Sequence, residues 1–472
     1  MILIATNANE IRRAVEGELL SGSGDKHFRG VSIDSRTVRP GELYFCIRGE
    51  RYDGHDFISE AIGKKASGVI LADERKIPKA PRAGGAGDCP FVIRVRDTLT
   101  ALQNCARFHR KQFQVRVVAI TGTNGKSTTK EMTAAIAERK FNTLKTEGNL
   151  NNHIGLPLTL FNLDAGHKVA VLEMGMSAAG EIRRLAEIAE PEVGVISNIS
   201  AGHLVKLRTL KNVQAAKGEL FRALNREGTA IVNADDPLVL DLARSLRSRV
   251  VTFAIDNPAD IRADEIRPRG NDGYDFNLRL FEQKIPIFLP FLGRCNIYNA
   301  LAAIAAGHSL GVGTEDISLG LGGCRLMDQR FQVFRCRSMT LIDDTYNANP
   351  GSMREALTIL SQYQTSGRRF FVIGDMLELG DAEQEAHARL GEETAGLPVD
   401  FFVTVGKRAA LAGQAALKAG MAADHAVILH SHQEAVDYLS KNAQPGDCLL
   451  FKGSRGSKME TVVRGFTAPA NL

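Results

Sequence analysis

The sequence lacks the features that mark several common classes of protein. Its seven cysteines are scattered and form no Cys-x-x-Cys pair, so reduced thiols in the cytosol are expected in place of a disulfide framework. Its net charge of +5 is spread thinly and forms no basic tract, which argues against nucleic acid as a partner. No apolar stretch is long enough to cross a bilayer and the N-terminal apolar run is short, so neither membrane insertion nor secretion is expected.

The composition that is present is typical of a globular protein. Hydrophobic residues make up 44% and charged residues 24% of the 472 residues. That length exceeds one ordinary hydrophobic core, so about three domains are expected. We expect a cytoplasmic protein that is a monomer.

Apolar runs separated by helical stretches predict a series of α/β units. Short β-like runs occupy residues 41–47, 68–71 and 91–95, and the Pro, Gly and Ala-rich segment 79–90 is expected to be a surface loop. Further along, apolar runs without polar alternation indicate a parallel sheet buried on both faces. These runs are Val115–Ile120, Val169–Leu172, Val193–Ile196 and Thr229–Val232. An alanine-rich helix over residues 296–307 is expected to close this unit.

A second series of strands begins past Arg330, at residues 340–342, 369–373, 401–405 and 448–451. Its pattern indicates a doubly wound sheet. We therefore predict an α/β protein of three domains. They are a small N-terminal α/β domain (1–95), a central phosphate-loop domain with a mostly parallel sheet (96–325) and a C-terminal Rossmann-like, doubly wound domain (326–472).

A glycine-rich loop lies between the first central strand and its helix. It consists of Gly122, Thr123, Asn124, Gly125, Lys126, Ser127 and Thr128. Glycines let backbone N–H groups close on phosphate oxygens, Lys126 can neutralise the outer phosphates and Ser127 can bind magnesium. The spacing is shorter than in the usual phosphate loop, because Ile120 stands where a glycine is common. The competing interpretation is a glycine turn with an incidental lysine.

Three further residues follow buried strands and fit a magnesium site at the same edge of the sheet. Glu173 ends one strand, His203 follows another and Lys217 lies beyond it. A carboxylate suits magnesium well and an imidazole less well. Taken singly, each of these three residues is more often a surface or capping residue. Only their occurrence together, after a phosphate loop, favours a metal site.

Seven segments in this order resemble the Mur ligases, a family of ATP-dependent amide ligases. The resemblance covers essentially the whole chain, and its glycine loop is shared with folylpolyglutamate synthases, whereas the other segments are more selective. The segments are Gly122–Ser127, Thr128–Met132, Gly148–Pro157, Glu173–Ser177, Asp344–Pro350, Gly374–Gly380 and Lys452–Arg455. The branch that the chain looks like adds D-alanyl-D-alanine to a UDP-N-acetylmuramoyl-tripeptide, so the resemblance implies ATP and Mg²⁺ as cofactors and these two compounds as substrates.

The resemblance also implies roles for individual residues. Lys126, Lys217, His203 and Glu173 would be catalytic, with Lys217 carbamylated, a change that turns a cation into an anion able to serve magnesium. Ser127, Glu173 and His203 would bind the metal. The nucleotide would contact the glycine loop and Asn296, Asn299, Arg330 and Asp344. Cys295 departs from the family pattern, which usually has histidine there, so one nucleotide contact is in question.

Substrate contacts are implied in all three domains. The segments 34–41 and 49–57 look like the UDP-sugar recognition elements, although a β-turn with solvated charges is the simpler interpretation of the residues alone. The amides of the central segment could be turn residues instead of peptide ligands. The implied substrate residues are Ser35, Arg36, Asn149, Asn151, Asn152, Arg183, Asn347, Asn349 and Lys452.

Three other functions compete with this interpretation. The nearest is the family member that adds a diamino acid, which carries Asp-Asn-Pro-Arg in its last domain. Here Asp256–Ala259 lacks the arginine and lies in the central domain, where it is expected to be a turn. The second is a phosphate-loop hydrolase or kinase that forms no amide, and the third is a non-catalytic nucleotide-binding scaffold.

Overall fold

The structure is a computed structural model that describes residues 6–76, 89–200 and 204–468. Three predictions therefore fall wholly or mostly outside the described residues: the N-terminal apolar run, the loop at 79–90 and the role of His203. Within these ranges, no helix has both the length and the apolar character that a membrane crossing requires.

The N-terminal part is a small α/β unit. A five-stranded sheet has the order β2-β7-β6-β5-β4, in which only the β2–β7 pair is antiparallel, and β1 pairs with β3 beside it. Its elements are β1 (Thr6–Asn7), α1 (Ala8–Ala14), β2 (Glu18–Ser21), β3 (His27–Phe28), β4 (Gly30–Ser32), β5 (Glu42–Phe45), α2 (Ile58–Gly63), β6 (Gly68–Leu71) and β7 (Phe91–Arg94), followed by α3 (Thr98–Arg110).

The central part is built on a nine-stranded sheet with the order β16-β15-β14-β13-β12-β11-β8-β10-β9. Strands β8 to β14 run parallel, and the Val and Ile side chains of β8, β10, β11 and β12 are buried on both faces, as the unalternating pattern predicts. The parallel elements are β8 (Arg116–Thr121), α4 (Lys126–Ala137), β9 (Thr143–Lys145), α5 (Gly155–Leu160), β10 (Val169–Glu173), α6 (Glu181–Ala189), β11 (Val193–Ile196), α7 (Leu204–Leu207), α8 (Leu210–Lys217), α9 (Glu219–Ala223), β12 (Thr229–Asn233), α10 (Pro237–Ala243) and β13 (Arg249–Ala254).

The end of the central part departs from the prediction in two ways. An antiparallel extension follows β13, where β14 continues into two strands that alternate buried and exposed residues. The predicted closing helix is present, but it does not close the unit, because another helix follows and packs on α4. Glycines at its two ends hid that helix from the apolar pattern. These elements are β14 (Ile261–Pro268), β15 (Tyr274–Leu280), β16 (Gln283–Leu289), α11 (Arg294–Ser309) and α12 (Thr314–Gly323).

The C-terminal part is doubly wound, as predicted. Its sheet has the order β17-β18-β22-β19-β20-β21 and is parallel except for the edge strand β17. Two of its strands, β17 and β21, were not predicted, because they are short or half-exposed edge strands. The elements are β17 (Gln332–Cys336), β18 (Met339–Asp344), α13 (Pro350–Gln362), β19 (Arg369–Gly374), α14 (Glu383–Ala395), β20 (Phe401–Val405), α15 (Ala409–Lys418), β21 (Ala426–Leu429), α16 (His432–Asn442), β22 (Cys448–Lys452) and α17 (Glu460–Thr467).

The N-terminal and central parts share a hydrophobic core, whereas the C-terminal part has cores of its own. One buried cluster runs from the N-terminal sheet through α3 to one face of the central sheet, so these two parts share a core. The other face of the central sheet packs on α4, α11 and α12. The buried members of the two C-terminal clusters all come from residues 339–466. The C-terminal part therefore folds on its own core and meets the rest through a separate interface.

Candidate functional site

The glycine loop lies between β8 and α4, at the point where the sheet order reverses, with β10 on one side of β8 and β11 on the other. Gly122 and Gly125 both have positive φ, +152° and +81°. A Cβ at Gly122 would lie 1.9 Å from the Ser197 hydroxyl, and one at Gly125 would lie 2.2 Å from Oδ1 of Asn299. Only glycine fits either position. Gly125 is also the N-cap of α4 and has no side chain to cap the first helical amides, which leaves them for an anion.

Two residues that follow β11 hold the loop in place. Asn198 accepts a hydrogen bond from the Asn124 N–H at 2.9 Å and donates to the Asn124 carbonyl at 3.0 Å. Ser197 donates to the same carbonyl at 2.6 Å. Thr123 is fixed by Ser200 in the same way. The sequence pattern did not identify Ser197 and Asn198, although both come directly after a buried strand, as Glu173 ends one.

Lys126 is folded onto its own loop. Its Nζ donates to the carbonyls of Gly122 at 3.0 Å and Thr123 at 3.1 Å. Burial lowers the pKa of Lys126, Glu173 opposes that shift and the Arg330 cation adds to it. A bound phosphate could therefore replace these two carbonyl oxygens as the hydrogen-bond partner of the Lys126 ammonium group.

Lys217 approaches the same loop from behind. Its side chain is 1% exposed, and its Nζ donates to the Gly122 carbonyl at 2.8 Å. Burial, and then the charge of Lys126, lower the pKa of Lys217 well below the usual value for lysine. Two lysines from α4 and the end of α8 thus bond to one carbonyl oxygen.

Glu173 ends β10 beside the loop and is buried. Its Oε1 accepts a hydrogen bond from Nδ2 of Asn151 at 2.6 Å, whereas its Oε2 is buried and has no hydrogen-bond partner among the described residues. A buried carboxylate oxygen without a donor is costly unless a cation meets it, so this residue fits a hard divalent metal. The part of the chain that the structure describes holds no cluster of three or more His, Cys, Asp or Glu side chains able to bind a metal. Among the described residues, Glu173 and Ser127 are the ones that offer oxygen ligands for such a metal.

The start of α11 forms the wall opposite the loop. Asn299 accepts a hydrogen bond from the Thr129 hydroxyl at 3.2 Å and donates to Asn296 at 3.0 Å. Asn296 in turn donates to the Leu292 carbonyl at 2.6 Å. Both amides are buried, so their partners are fixed.

Cys295, where a histidine was expected, also lines this wall. Its backbone N–H donates to Glu355 of α13 at 3.1 Å. Burial raises the pKa of Cys295 well above its usual value, and Glu355 adds to the shift. The thiol is thus neutral and only a weak hydrogen-bond donor beside Glu355, whereas a histidine ring N–H is a full donor. Glu355 was not identified from the sequence, because nothing in the helix α13 pattern separates it from a solvated glutamate.

The C-terminal part contributes a second set of charges. Asp344 ends β18 and Lys452 ends β22; the two residues pair in register and form a buried ion pair. Burial raises the pKa of Asp344, and the Lys452 cation opposes the shift. Lys452 also donates to the Asn347 carbonyl at 3.1 Å.

Arg330 links the two parts. Its guanidinium lies 4.3 Å from the ring centre of Tyr346, and its Nη2 donates to the Ser127 hydroxyl at 3.1 Å. A second link joins Asn349 to Asn124, with the Asn349 Nδ2 donating at 2.7 Å. Asn349 is at the same time the N-cap of α13.

The glycine loop, the start of α11 and the residues from the C-terminal part surround one cavity of about 590 Å³, a volume in the range of small-ligand sites. Many of the predicted site residues line it together. They are Thr123, Asn124, Gly125, Lys126, Ser127, Thr128, Asn296, Asn299, Arg330, Asp344, Asn347, Asn349 and Lys452.

Other predicted residues do not line this cavity, and Glu173, Lys217 and Asn151 are among them. Ser35 donates to Glu60 at 2.7 Å and Arg36 pairs with Asp34, both within the N-terminal unit. Asn149 and Arg183 are exposed. The side chain of Asn152 accepts from the first amides of α5, as the turn interpretation had it.

The turn predicted at residues 256–259 lies after β13, where Asp235 accepts the backbone N–H groups of Ile255, Asp256 and Asn257. Tyr298 of α11 donates to the same carboxylate at 2.9 Å. The Asp-Asn-Pro sequence is thus part of a loop of the central part that is fixed by Asp235, and Asp235 and Tyr298 both line the cavity.

A phosphate loop at a switch point of a parallel sheet, facing the charged strand ends of a second doubly wound sheet, defines a nucleotide-dependent enzyme of two cooperating domains. Family models agree with this class and narrow it. The Mur ligase middle domain matches residues 120–307, the Mur ligase, glutamate ligase domain matches 329–455, and the Mur ligase family, catalytic domain matches 27–110. The chain belongs to the Mur ligase family.

Individual relatives share nearly the whole length of the chain. The UDP-N-acetylmuramoyl-tripeptide–D-alanyl-D-alanine ligases of Bacillus subtilis and Escherichia coli are 34% and 35% identical, each over 98% of both chains. A crystal structure of MurF from Acinetobacter baumannii matches 99% of this chain and 100% of its own, with 31% identity and a TM-score of 0.89. MurF ligase from Thermotoga maritima, in complex with ADP, matches 93% of this chain and 97% of its own, with 27% identity and a TM-score of 0.80.

Proposed function

We propose that the chain is the ATP-dependent ligase that joins D-alanyl-D-alanine to UDP-N-acetylmuramoyl-tripeptide, giving the pentapeptide precursor of peptidoglycan, ADP and phosphate. The observation that carries this proposal is the cavity in which the phosphate loop of the central part faces the strand ends of the C-terminal part. The relatives that carry this name match the chain end to end, which supports the choice of substrates.

The chemistry requires activation of a carboxylate, since a carboxylate does not react with an amine at neutral pH. Transfer of the γ-phosphoryl group of ATP to the tripeptide's terminal carboxylate gives an acyl-phosphate and ADP. The amine of D-alanyl-D-alanine then attacks the acyl carbon, forms the amide and releases phosphate. Lys126 would leave its loop carbonyls and neutralise charge on the transferred group.

Magnesium is the metal that we propose for this site, where it would supply charge neutralisation at the phosphates. Ser127 and Glu173 are its described ligands, and the partnerless Oε2 of Glu173 supports the fit. His203 is a further proposed ligand on the strength of the family resemblance. Lys217 is proposed to be carbamylated, and its lowered pKa supports this because the neutral amine is the form that reacts with CO₂.

The three proposed domains would share the substrates between them. The N-terminal domain (1–95), with Ser35 and Arg36, would bind the UDP-sugar, and the central domain (96–325) would bind ATP. Asn149, Asn152 and Arg183 of the central domain would meet the peptide. The C-terminal domain (326–472) would receive the dipeptide through Asn347, Asn349 and Lys452. We further propose a monomer that works in the cytosol, where ATP is available.

The experiment is to incubate the purified protein with ATP, Mg²⁺, a UDP-muramoyl tripeptide and a candidate amine, and to measure ADP release and product mass. Tripeptides ending in lysine and in diaminopimelate are both supplied. We expect the pentapeptide with D-alanyl-D-alanine, and almost no ADP when the amine is left out. Steady ATP hydrolysis without an amine would favour a hydrolase, and product only from a UDP-dipeptide with a diamino acid would favour the neighbouring ligase.

A further inference from the structure

The carboxylate of Glu173 is held so that its two oxygens differ. Oε1 accepts the 2.6 Å hydrogen bond from Asn151, and Oε2 is left without a donor among the described residues. A carboxylate can only accept hydrogen bonds, so the Asn151 amide must present its NH₂ group to it. One oxygen is therefore occupied and the other is presented to the site.

Asn151 is itself fixed to the end of β10 by its main chain. The Gly175 N–H donates to the Asn151 carbonyl at 2.8 Å, two residues beyond Glu173. A Cβ at Gly175 would lie 2.8 Å from Oδ1 of Asn151, so the glycine permits this close approach. Asn151 is thus hydrogen-bonded to the end of β10 through both its backbone carbonyl and its side-chain amide.

A second support reaches Glu173 from α4. The Glu173 N–H donates to the Thr146 hydroxyl at 3.0 Å. The Thr146 carbonyl in turn accepts a 2.6 Å hydrogen bond from Nζ of Lys130, a lysine that is fully buried and ion-paired with Glu131. The helix that starts with Lys126 therefore also fixes the main chain of Glu173, one turn further on.

We propose that Asn151 and Lys130 are positioning residues for the Glu173 carboxylate and, through it, for the divalent cation. Asn151 engages Oε1 so that Oε2 is free for the metal, and Lys130 fixes the strand end through Thr146. The inference rests on the proposed function for the identity of the metal site. It gives Asn151 a different task from the peptide contact that the family resemblance implied.

The test measures Mn²⁺ affinity by electron paramagnetic resonance, with Mn²⁺ as the spectroscopic substitute for Mg²⁺ and a non-hydrolysable ATP analogue present. Asn151→Leu should weaken Mn²⁺ binding roughly 10- to 100-fold, the usual effect of removing a residue that orients a metal ligand. Asn162→Leu, the same change at an exposed asparagine whose side chain donates only to the Leu158 carbonyl, should leave the Mn²⁺ affinity within about twofold by the same reasoning. Binding of UDP-muramoyl tripeptide to metal-free protein should be unchanged in Asn151→Leu.

Lys130 has a matched control in Lys145, because both lysines pair with Glu131 at 2.7 Å and only Lys130 bonds to Thr146. Lys130→Met should weaken Mn²⁺ binding about tenfold, whereas Lys145→Met should lower only the melting temperature. If Lys130→Met does not fold, as judged by circular dichroism, Thr146→Val removes the hydroxyl that accepts the Glu173 N–H and should give the same loss.

The outcomes separate this inference from the proposed ligase activity. Unchanged Mn²⁺ affinity in Asn151→Leu and Lys130→Met, or equal losses in their controls, would overturn the inference even if the wild type makes the pentapeptide. Loss of tripeptide binding with normal Mn²⁺ affinity would return Asn151 to the peptide. Weakened Mn²⁺ binding in a protein whose wild type forms no amide would support the positioning role and reject the proposed function.

Discussion

At the scale of single residues, the two lysines that bond to the Gly122 carbonyl have different predicted tasks. Lys126 lies at the start of α4, where its ammonium group can stay paired with a phosphoryl group while that group is transferred. Lys217 is more deeply buried and carries the stronger downward pKa shift. The charge of Lys126 and the neutrality of Lys217 can each be tested by substitution.

Lys126→Ala should abolish ligation while the fold is retained, because the alanine keeps helix α4 but removes the cation that neutralises the transferred phosphoryl group. The loss should be at least about a thousandfold in kcat/KM, on the order of removing a main electrostatic contributor in phosphoryl transfer. Product mass and ADP release measure the activity, and far-ultraviolet circular dichroism checks the fold. A variant with near-native turnover would refute the assigned role.

Lys217→Met should inactivate the enzyme and yet raise its stability near neutral pH in CO₂-free buffer. Because the pKa of Lys217 is lowered by folding, the unfolded chain binds a proton there more tightly than the folded chain, so wild-type stability rises with pH up to the unfolded value near 10.4. Methionine does not titrate. The stability advantage of the variant should therefore shrink as the pH is raised from 7, by at most about 1.4 kcal/mol per pH unit.

Urea unfolding of both proteins at several pH values measures this difference. A gap that is constant with pH, or that widens as the pH rises, would show that Lys217 is protonated in the folded state. Adding ¹³C-bicarbonate and recording a carbamate signal by NMR in wild type, but not in Lys217→Met, tests the modification separately.

At the scale of elements, the strand–loop–helix unit depends on a backbone that only glycine can adopt. Gly125 has φ of +81° and abuts Asn299, whereas Gly148 has φ of +53° with no heavy atom within 4 Å of its added Cβ. Both Ala substitutions introduce left-handed strain of about 1–2 kcal/mol. Only Gly125→Ala adds a collision with the opposite wall of the nucleotide cavity.

Gly125→Ala should therefore weaken ATP binding by at least about a hundredfold. Strain of 1.4 kcal/mol would weaken binding only about tenfold, so the larger loss is the effect of the collision with Asn299. Gly148→Ala should keep its nucleotide affinity and show only a lower melting temperature. Titration calorimetry with an ATP analogue measures both. Equal affinities in the two variants would mean that the contact with Asn299 does not shape the phosphate site.

At the scale of the whole molecule, the shared core couples the N-terminal and central parts, whereas the C-terminal part meets them through hydrogen bonds and the packing of Leu292 on its core. The hydrogen bonds include those of Asn124 with Asn349, Ser127 with Arg330, the Cys295 N–H with Glu355 and Asn271 with Gln364. Each hydrogen bond contributes only about 1 kcal/mol net. The balance between open and closed arrangements is thus within the reach of ligand binding.

Small-angle X-ray scattering should show a smaller radius of gyration when an ATP analogue and UDP-muramoyl tripeptide are added. Asn349→Ser offers a control, because serine still caps α13 but is too short to reach Asn124. Its ligand-free profile should be at least as open as that of wild type, and its closure should need more ligand. Profiles that do not change with both ligands present would argue against closure.

The sequence by itself determined the buried parallel strands and the phosphate loop, because unalternating Val and Ile runs and glycines at fixed positions are local signals. It also identified Lys126, Ser127 and Glu173 as candidates, since the ends of parallel strands share one edge. Short or edge elements such as β17, β21 and α12 escaped it, because their patterns are weak without the neighbours that bury them.

Only the tertiary structure decided which side chains meet. Lys217 is 95 residues from Gly122, Arg330 is 203 residues from Ser127, and Asn349 is 225 residues from Asn124. Such pairs are set by how helices and strands pack, which local patterns do not encode. Asn151 is an example of both. The sequence identified it as a candidate polar residue, but its contact with Glu173 depends on the fold, which brings a loop to the end of β10.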